Sequence, residues 1–307
     1  MSKIAFIYPG QGAQAIGMGA DFYEKSPLSK AVFDQASEVV SLDLKKLCFE
    51  ENDLLNKTEY TQVAMVTACL AMTRAVEAMG LHADMTAGLS LGEYCAIAVA
   101  GGMCDLDAIR TVRARGIFME HAAPEGTGAM SAVLGLDAGV IEDVLRDREG
   151  VSIANYNCPG QIVITGEADA VEAASEALKE AGAKRCIPLK VSGPFHSALL
   201  KNAGEQLAEE LKSVKLSTPW IPYVSNVTAD YVTDASQVAE LLKQQVSSPV
   251  QFTQSIERMI ADGVDTFIEI GPGKTLSSFV RKIDGNVKVY NIEKPEDLDR
   301  VMEELAC

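Results

Sequence analysis

A serine between two glycines is the first feature of this sequence that could do chemistry. Gly88, Ser90 and Gly92 match the pattern G-x-S-x-G, and an apolar helical pattern follows them as far as Gly101 and Gly102. In a sharp turn from strand to helix, glycines at these places avoid collisions and leave the serine hydroxyl clear of the sheet. The N-terminus of the helix would also stabilise an anionic intermediate. We therefore predict that Ser90 is a nucleophile; the alternative is a serine that only caps the helix.

A serine nucleophile needs a base, because its hydroxyl is almost wholly protonated at neutral pH. Of the three histidines, His82 lies in a loop at the far end of the strand that leads to Ser90, and His121 ends a helix. Both suit a surface or capping place. His196 follows the rigid turn Gly-Pro-Phe and can overhang the sheet, so we predict that His196 is the base.

No acidic residue stands out as the group that would orient the imidazole of His196. In α/β-hydrolases this acid falls between the serine and the histidine, where Glu167 and Asp169 are candidates, but both belong to a segment with a different pattern. We therefore expect a backbone carbonyl oxygen, rather than a carboxylate, to hold the ring.

A helical stretch from Asp105 to His121 carries three arginines among apolar residues. Arg113 and Arg115 are two positions apart and cannot share a helix face, so at least one of them points inward. A buried arginine needs an anion. For Arg110 we expect a solvated place, paired with the acidic surface.

Two glycine-rich loops resemble nucleotide-binding motifs only in part. Positions 10–15 match G-x-G-x-x-A, but the second strand with an acidic end that a dinucleotide site requires is replaced by a helical stretch with Asp34 in its middle. Positions 273–275 match the end of a P-loop, whose first glycine would fall at Ile268. We reject both cofactors. The first loop can instead offer its backbone and the amide of Gln11 to a ligand beside the sheet.

Composition excludes several classes of protein. The chain has 307 residues, of which 48% are hydrophobic, and it can bury a sizeable core. No apolar run approaches the ~18 residues of a membrane span, and no signal peptide precedes the first strand-like stretch, so we expect a cytoplasmic protein. The net charge of −16 argues against general affinity for nucleic acid or anionic membranes.

The cysteines and histidines give no sign of a metal site or of disulfides. The seven cysteines form no C-x-x-C pair and mostly lie in apolar stretches, and H-E-x-x-H is absent. We predict reduced cysteines, most of them in the core, and no metal. The cysteines are residues 48, 69, 95, 104, 158, 186 and 307.

The pattern of elements changes between residues 127 and 190. Strand-like and helical stretches follow there in the order β-α-β-β-α-β, which is typical of a ferredoxin-like arrangement. We read 127–190 as an inserted subdomain and 1–126 with 191–307 as one α/β core. Residues 155–160 are expected to form the turn between the two middle strands of the subdomain.

The core segments alternate between strands and helices. Strands are predicted at 3–8, in the short stretch that leads into Ser90, at 221–224 and at 264–270, and Pro222 suggests that the third of these lies at a sheet edge. Thr58 is expected to cap a helix that ends at Gly80. The predicted helices are 30–40, 61–79, a stretch downstream of Ser90 that ends at Gly101 and Gly102, and 105–121, 197–212, 235–245 and 275–282.

The motifs together resemble one known family. The sequence is similar to malonyl-CoA:acyl carrier protein transacylases of bacterial type II fatty acid synthesis, and the similarity spans nearly the whole chain in the family's order. It implies an α/β-hydrolase-like core with a mainly parallel sheet and an inserted ferredoxin-like subdomain. The motifs are PGQG (9–12), GLSLGEY (88–94), RARGIFM (113–119), PEGTGAM (124–130), NYNCPGQIVITG (155–166), GPFHS (193–197), SSPVQF (247–252) and EIGPGK (269–274).

The resemblance also implies a role for each site residue. Ser90 would carry the acyl group, His196 would act as general base and acid, and the backbone carbonyl of Gln245 would orient His196. Gln11 and the backbone N–H of Leu91 would form the oxyanion hole.

Selectivity follows from the same resemblance. Arg115 would pair with the free carboxylate of a malonyl group, which a planar guanidinium binds better than lysine can. Phe195 matches the malonyl-selective form of its segment. Leu89 and Pro194 depart from the residues that many members carry, histidine and alanine, which concerns the polarity and shape of the pocket.

The implied activity is malonyl transfer from malonyl-CoA to acyl carrier protein by a cytoplasmic monomer without cofactor or metal. Two alternatives remain at this point: a serine hydrolase or thioesterase with water as acceptor, and a scaffold subunit that docks a carrier without chemistry. Carrier proteins are acidic, so docking needs a local basic patch. Its candidates are Lys184, Arg185, Lys190 and Lys201.

Overall fold

Two β-sheets organise the chain in the computed structural model, which describes residues 2–124, 126–191 and 193–306. The strands are β1 (Lys3–Tyr8), β2 (Met85–Gly88), β3 (Gly128–Leu134), β4 (Val151–Cys158), β5 (Gln161–Glu167), β6 (Arg185–Pro188), β7 (Tyr223–Val224), β8 (Tyr231–Val232), β9 (Val264–Ile270) and β10 (Lys288–Ile292). Glu125, within one of the family motifs, and Cys307, one of the predicted reduced cysteines, lie outside the described residues.

Helices connect most of these strands. They are α1 (Ala20–Lys25), α2 (Pro27–Val40), α3 (Leu44–Phe49), α4 (Thr58–Ala78), α5 (Gly92–Val99), α6 (Asp105–Glu120), α7 (Ala138–Leu145), α8 (Ala168–Glu180), α9 (Lys201–Leu211), α10 (Ala235–Gln245), α11 (Phe252–Ala261), α12 (Thr275–Ile283) and α13 (Pro295–Ala306), with a 3₁₀ turn at Ala198–Leu200. Each of the described helices is too short or too polar to cross a bilayer.

The large sheet has six strands in the order β10-β9-β1-β2-β7-β8, and all neighbours are parallel except β7 and β8. Its central strand β1 is buried on both sides, as parallel sheets with helices on both faces require. Phe6 and Tyr8 pack into a cluster with α4 and α5, whereas Ala5 and Ile7 pack with α11 and α12. The predicted α/β class with a mainly parallel sheet is confirmed.

The register of β1 and β2 determines where the site lies. Tyr8 pairs with Gly88, so the two strands end side by side at the carboxyl edge of the sheet. The loop that begins at Pro9 and the turn that contains Ser90 therefore leave the sheet next to each other, which is where α/β sheets usually bind ligands.

The small sheet is antiparallel, with the strand order β4-β5-β3-β6. One face packs against α7 and α8 through residues such as Val133 and Ile164. Residues of the other face, among them Met130 and Val163, belong to the main core cluster. The small sheet thus forms a wall opposite the carboxyl edge of the large one.

Strand β4 is longer than predicted, because a second segment of the core holds it. Residues 155–158, expected to lie in a turn, continue the strand, and only Pro159 and Gly160 turn the chain. Asn155 forms a parallel bridge with Val250, whose N–H and carbonyl bond to Ala154 and Tyr156. The expected six-residue turn is therefore wrong.

Two further local expectations are wrong for similar reasons. Strand β7 is not an edge strand, because β8 pairs with its outer side, and Pro222 lies just before β7, where its missing N–H costs no ladder bond. Thr58 is the first residue of α4 instead of its cap, which is Lys57, and its hydroxyl accepts a hydrogen bond from Gln11.

Most of the described cysteine side chains lie in the core. All six described cysteines are free, and four of them are buried, whereas Cys104 is exposed and Cys186 is partly exposed. Within the described ranges, no group of three or more His, Cys, Asp or Glu side chains could hold a metal ion.

We predict that Gly92→Ala lowers the free energy of unfolding by about 3 kcal/mol, because overpacking at a rigid backbone contact forces the main chain apart. A Cβ atom at Gly92 would lie 2.1 Å from the carbonyl oxygen of Tyr8. Urea denaturation of both proteins measures the change.

The matched control is Gly139→Ala, at an exposed helix position where the nearest atom to a Cβ is 3.4 Å away. In this variant the free energy of unfolding should stay unchanged or rise by up to about 1 kcal/mol. Equal losses in the two variants would contradict the packing argument.

Candidate active site

Ser90 lies in the turn between β2 and α5 with a left-handed backbone, φ 50°. This conformation is costly for a residue with a side chain, and it places the hydroxyl away from the sheet. The flanking glycines are required by packing, because a Cβ at Gly88 would lie 2.0 Å from the carbonyl carbon of Gly92. The backbone N–H of Ser90 donates to Oδ1 of Asn226 at 2.6 Å.

His196 faces this hydroxyl. Its Nε2 lies 2.8 Å from Oγ of Ser90, and its Nδ1 lies 2.8 Å from the backbone carbonyl oxygen of Gln245. Because a carbonyl oxygen only accepts hydrogen bonds, Nδ1 carries the proton and the lone pair of Nε2 points to Ser90. His196 also has a left-handed backbone, φ 62°, directly after the turn that precedes it.

The imidazole is poised as a neutral base. Burial, together with the positive charge of Arg115, lowers the pKa of His196 to about 4, against an opposing contribution from backbone hydrogen bonds with Gln245 and Ser248. At neutral pH the ring is therefore uncharged and able to accept the proton of Ser90.

Arg115 brings a buried positive charge to the same place. It is 1% exposed, and its guanidinium donates to Oε1 of Gln62 at 2.8 Å, to Oε1 of Gln245 at 3.0 Å and to Oγ of Ser90 at 3.2 Å. All three acceptors are neutral, and burial lowers the pKa of Arg115. A cation held only by neutral groups is suited to an anionic ligand.

The other two arginines of α6 have different partners. Arg113 forms an ion pair with Glu59 at 3.1 Å and lies over the ring of Tyr60. Arg110 pairs with Asp107 at 3.0 Å, and 41% of its side chain is exposed. The prediction that at least one arginine points inward is confirmed, and the inward one is Arg115.

Two backbone N–H groups lie beside Ser90. Leu91 directly follows Ser90, and Gln11 lies on the adjacent loop after β1; both line the same cleft. Among the described residues, neither backbone N–H donates to a protein acceptor. The side-chain amide of Gln11 donates to Thr58 at 3.0 Å.

The cleft between the two sheets encloses a cavity of about 150 Å³. Its floor holds Ser90, His196 and Arg115, and the small sheet supplies apolar side chains and two asparagines. A short apolar group with an anionic end fits this combination of walls and buried cation. The lining residues from the small sheet and the chain after it are Met130, Asn155, Asn157, Val163, Leu189 and Val191.

The structure brings together all the site residues named from the sequence, which are Ser90, His196, Arg115, Gln11, Leu91 and Gln245. His82, His121, Glu167 and Asp169 do not line this cleft.

Sequence reasoning missed three residues that bond to this constellation. Asn226 follows the predicted strand that ends at Val224, and polar residues at that edge of a parallel sheet are a usable signal. Glu93 is the one charged residue of α5, which is another. Gln62, on α4, carried no signal.

Residues 5–292 match the family described as acyl transferase domain. The malonyl CoA-acyl carrier protein transacylase of Bacillus subtilis is 47% identical over 310 residues, which cover 99% of this chain and 98% of that protein.

Solved structures of named transacylases are also similar to this chain. A malonyl CoA-acyl carrier protein transacylase from Clostridium perfringens superposes with a TM-score of 0.96 at 43% identity, covering 99% of this chain and 98% of that one. A malonyl-transacylase in complex with a type II PKS acyl-carrier protein has a TM-score of 0.95 at 38% identity, with 99% and 100% covered.

The reactivity of Ser90 should follow the protonation of His196. We predict that labelling of Ser90 by a fluorophosphonate is independent of pH near neutrality and falls as the pH drops through about 4, since imidazolium cannot accept the proton. In Arg115→Gln the fall should begin at higher pH, because the positive charge of Arg115 lowers the pKa of His196.

The measurement is the labelling rate against pH, with circular dichroism at each pH to show that the protein remains folded. His196→Ala is the control and should label slowly at every pH. An acid limb at the same pH in Arg115→Gln and wild type would contradict the electrostatic coupling.

Proposed function

Since this chain belongs to the acyl transferase family, we infer that it transfers a malonyl group from malonyl-CoA to the phosphopantetheine thiol of acyl carrier protein. This S-malonyltransferase reaction supplies fatty acid elongation, and it proceeds through a malonyl ester of a serine. The observation that carries the assignment of residues is the 2.8 Å contact between Ser90 Oγ and His196 Nε2 beside the buried cation of Arg115.

The first half-reaction loads the serine. Oγ of Ser90 attacks the thioester carbonyl while Nε2 of His196 accepts its proton, and the C–S bond then breaks. His196 returns the proton to the departing sulfur, and CoA leaves as the thiol. The low pKa of the imidazole favours this return of the proton.

The second half-reaction removes the malonyl group from Ser90. The thiol of the carrier's phosphopantetheine attacks the serine ester, His196 accepts the thiol proton, and the proton passes to Oγ of Ser90 as the ester bond breaks. In both tetrahedral intermediates the oxyanion accepts hydrogen bonds from the N–H groups of Leu91 and Gln11.

Arg115 binds the free carboxylate of the malonyl group. Its present acceptors are two amide oxygens and a hydroxyl, which a carboxylate replaces at a gain, because charge-assisted bidentate bonds are stronger than bonds to neutral groups. Binding in this way also frees Oγ of Ser90 from Arg115 for attack.

We propose the sequence-based architecture in the same terms: an α/β-hydrolase-like core of residues 1–126 and 191–307, and a ferredoxin-like subdomain of residues 127–190. The β-α-β-β-α-β order from β3 to β6 and the strand order β4-β5-β3-β6 support the second part. No cofactor is needed, because side chains supply the nucleophile, the base and the cation. The cytoplasmic location and the monomeric state stay predictions.

Acyl carrier protein is the partner, and we propose that it docks beside strand β6. Leu189, next to this strand, lines the cleft and is also partly exposed, so it marks an entrance for the phosphopantetheine arm. The basic side chains there face outward on an otherwise acidic chain and suit an acidic carrier. They are Lys184, Arg185 and Lys190, and Lys201, which is exposed at the start of α9, is a further candidate.

We predict that wild-type protein exposed to malonyl-CoA gains the mass of one malonyl group, and that Ser90→Ala gains none, because the ester forms on Ser90. Intact-protein mass spectrometry gives the result. Addition of holo acyl carrier protein should then move the group to the carrier.

If the serine ester instead released free malonate and no malonylated carrier protein formed, the chain would be a hydrolase. A Ser90→Ala protein that still gains the mass would place the ester on another residue.

Arg115→Ala should reduce kcat/KM for malonyl-CoA by roughly 10- to 100-fold, the effect of losing hydrogen bonds to a charged group. Transfer of acetyl groups should rise relative to malonyl, since acetyl needs no cation. Competition between the two CoA esters measures the ratio.

The matched control is Arg113→Ala, which removes the arginine that pairs with Glu59 outside the cleft and should leave the ratio unchanged. Undiminished malonyl preference in Arg115→Ala would remove the proposed role.

A further inference from the structure

One buried carboxylate next to the site has no part in the reaction described above. Glu93 lies in the first turn of α5, three residues after Ser90, and is 0% exposed. Burial raises its pKa to about 7, against opposing contributions from its hydrogen bonds and from Arg115. Burying a carboxylate costs free energy unless hydrogen bonds or an opposite charge compensate for its lost hydration.

The hydrogen bonds of Glu93 go to distant segments and not to the start of its own helix. Its Oε2 accepts from Nε2 of Gln245 at 2.5 Å and from the backbone N–H of Asn226 at 3.2 Å, residues 152 and 133 positions further along the chain. The side chain therefore joins α5 to the end of α10 and to the loop after β7, which an ordinary acidic residue at a helix N-terminus does not do.

Glu93 fixes which way the amide of Gln245 points. Its Oε2 accepts one hydrogen bond from this amide and one from the backbone of Asn226, so Glu93 holds the NH₂ end of the amide. The oxygen end then faces Arg115, from which it accepts a bond at 3.0 Å. A flipped amide would present its NH₂ to the guanidinium and lose both bonds.

The same contacts hold the backbone of the nucleophile. Nε2 of Gln245 also donates to the carbonyl oxygen of Ser90 at 3.0 Å, and Oδ1 of Asn226 accepts from the N–H of Ser90 at 2.6 Å. Both partners of Ser90 are thus themselves bonded to Glu93. A left-handed serine persists only where its surroundings determine it in this way.

Glu93 is also the counter-charge of Arg115 across the amide of Gln245. The described residues contain no direct ion pair of Arg115. Burial lowers the pKa of its guanidinium, and Tyr94 and Glu93 oppose that effect. Because the charge acts through an intervening amide, it leaves the guanidinium available to a ligand.

We propose that Glu93 is a positioning residue of acyl transfer: it orients the side-chain amide of Gln245 and holds the backbone of Asn226, and it thereby holds Ser90 in its reactive conformation. This proposal rests on the proposed function of Ser90. It assigns to Glu93 an effect on the rate of serine acylation and not on the binding of the malonyl carboxylate.

The test is single-turnover acylation of Glu93→Gln, an isosteric change that removes the charge and one acceptor. Mass spectrometry follows the malonylated fraction with time over a range of malonyl-CoA concentrations. We expect the acylation rate constant to fall roughly 10- to 100-fold, because small misplacements of reacting groups have effects of this size. The final malonylated fraction and the half-saturating concentration should not change.

The acylation rate constant and the final malonylated fraction together distinguish a positioning role of Glu93 from a role in stability alone. If Glu93 only stabilised the fold, the malonylated fraction would fall with the rate constant unchanged, and that result would overturn the proposal, as would a wild-type rate constant at full amplitude. Absence of malonylation in the wild type would instead refute the function of Ser90.

Glu269→Gln is the matched control. Glu269 is another buried carboxylate, but it accepts hydrogen bonds from the backbone of Leu276 and Ser277 at the start of α12, outside the cleft. The expected result is a lower melting temperature with an unchanged acylation rate constant.

A second variant tests whether Glu93 acts through the side-chain amide of Gln245, and it does so even if Glu93→Gln folds poorly. Gln245→Met keeps the backbone carbonyl that bonds to His196 and removes the side-chain amide. It should slow acylation by a similar factor, and the double variant should be little slower than either single one. A wild-type rate constant in Gln245→Met, or additive losses in the double variant, would overturn this route.

Discussion

The left-handed backbone of Ser90 is the constraint on which the rest of the site depends. It exists because β2 ends in register with β1 and because glycines on both sides let α5 approach the sheet. Its N–H and its carbonyl bond to side chains from the second half of the chain. The nucleophile is therefore assembled by tertiary structure, and the motif around it has its conformation only when the whole core is folded.

Two buried groups, Arg115 and His196, differ in charge, and the charge of the first affects the protonation of the second. Arg115 supplies a positive charge that only neutral groups bind directly, and this charge helps to keep His196 uncharged. A carboxylate bonded to the imidazole would have raised the pKa of the ring, whereas the carbonyl of Gln245 orients it at a smaller electrostatic cost. The site thus combines a buried cation held by neutral groups with a histidine that is uncharged at neutral pH.

The sequence predicted those parts of the site that local rules govern. The turn at Ser90 follows from two glycines, and the small sheet follows from the alternation of its elements. Helical spacing required only that Arg113 or Arg115 point inward, and the resemblance to the transacylase family identified Arg115. The errors have another origin. Residues 155–158 extend β4 because Val250 bonds to it, and β7 is interior because a two-residue strand covers it. Asn226 and Gln62 were missed because their partners are distant in the sequence.

The bridge between Asn155 and Val250 has a mechanical consequence. Val250 follows closely on Gln245, whose carbonyl aligns the imidazole, so one short stretch of chain is attached both to the wall of the cleft and to the base. A displacement of the wall relative to the large sheet would therefore also displace the carbonyl that orients the imidazole.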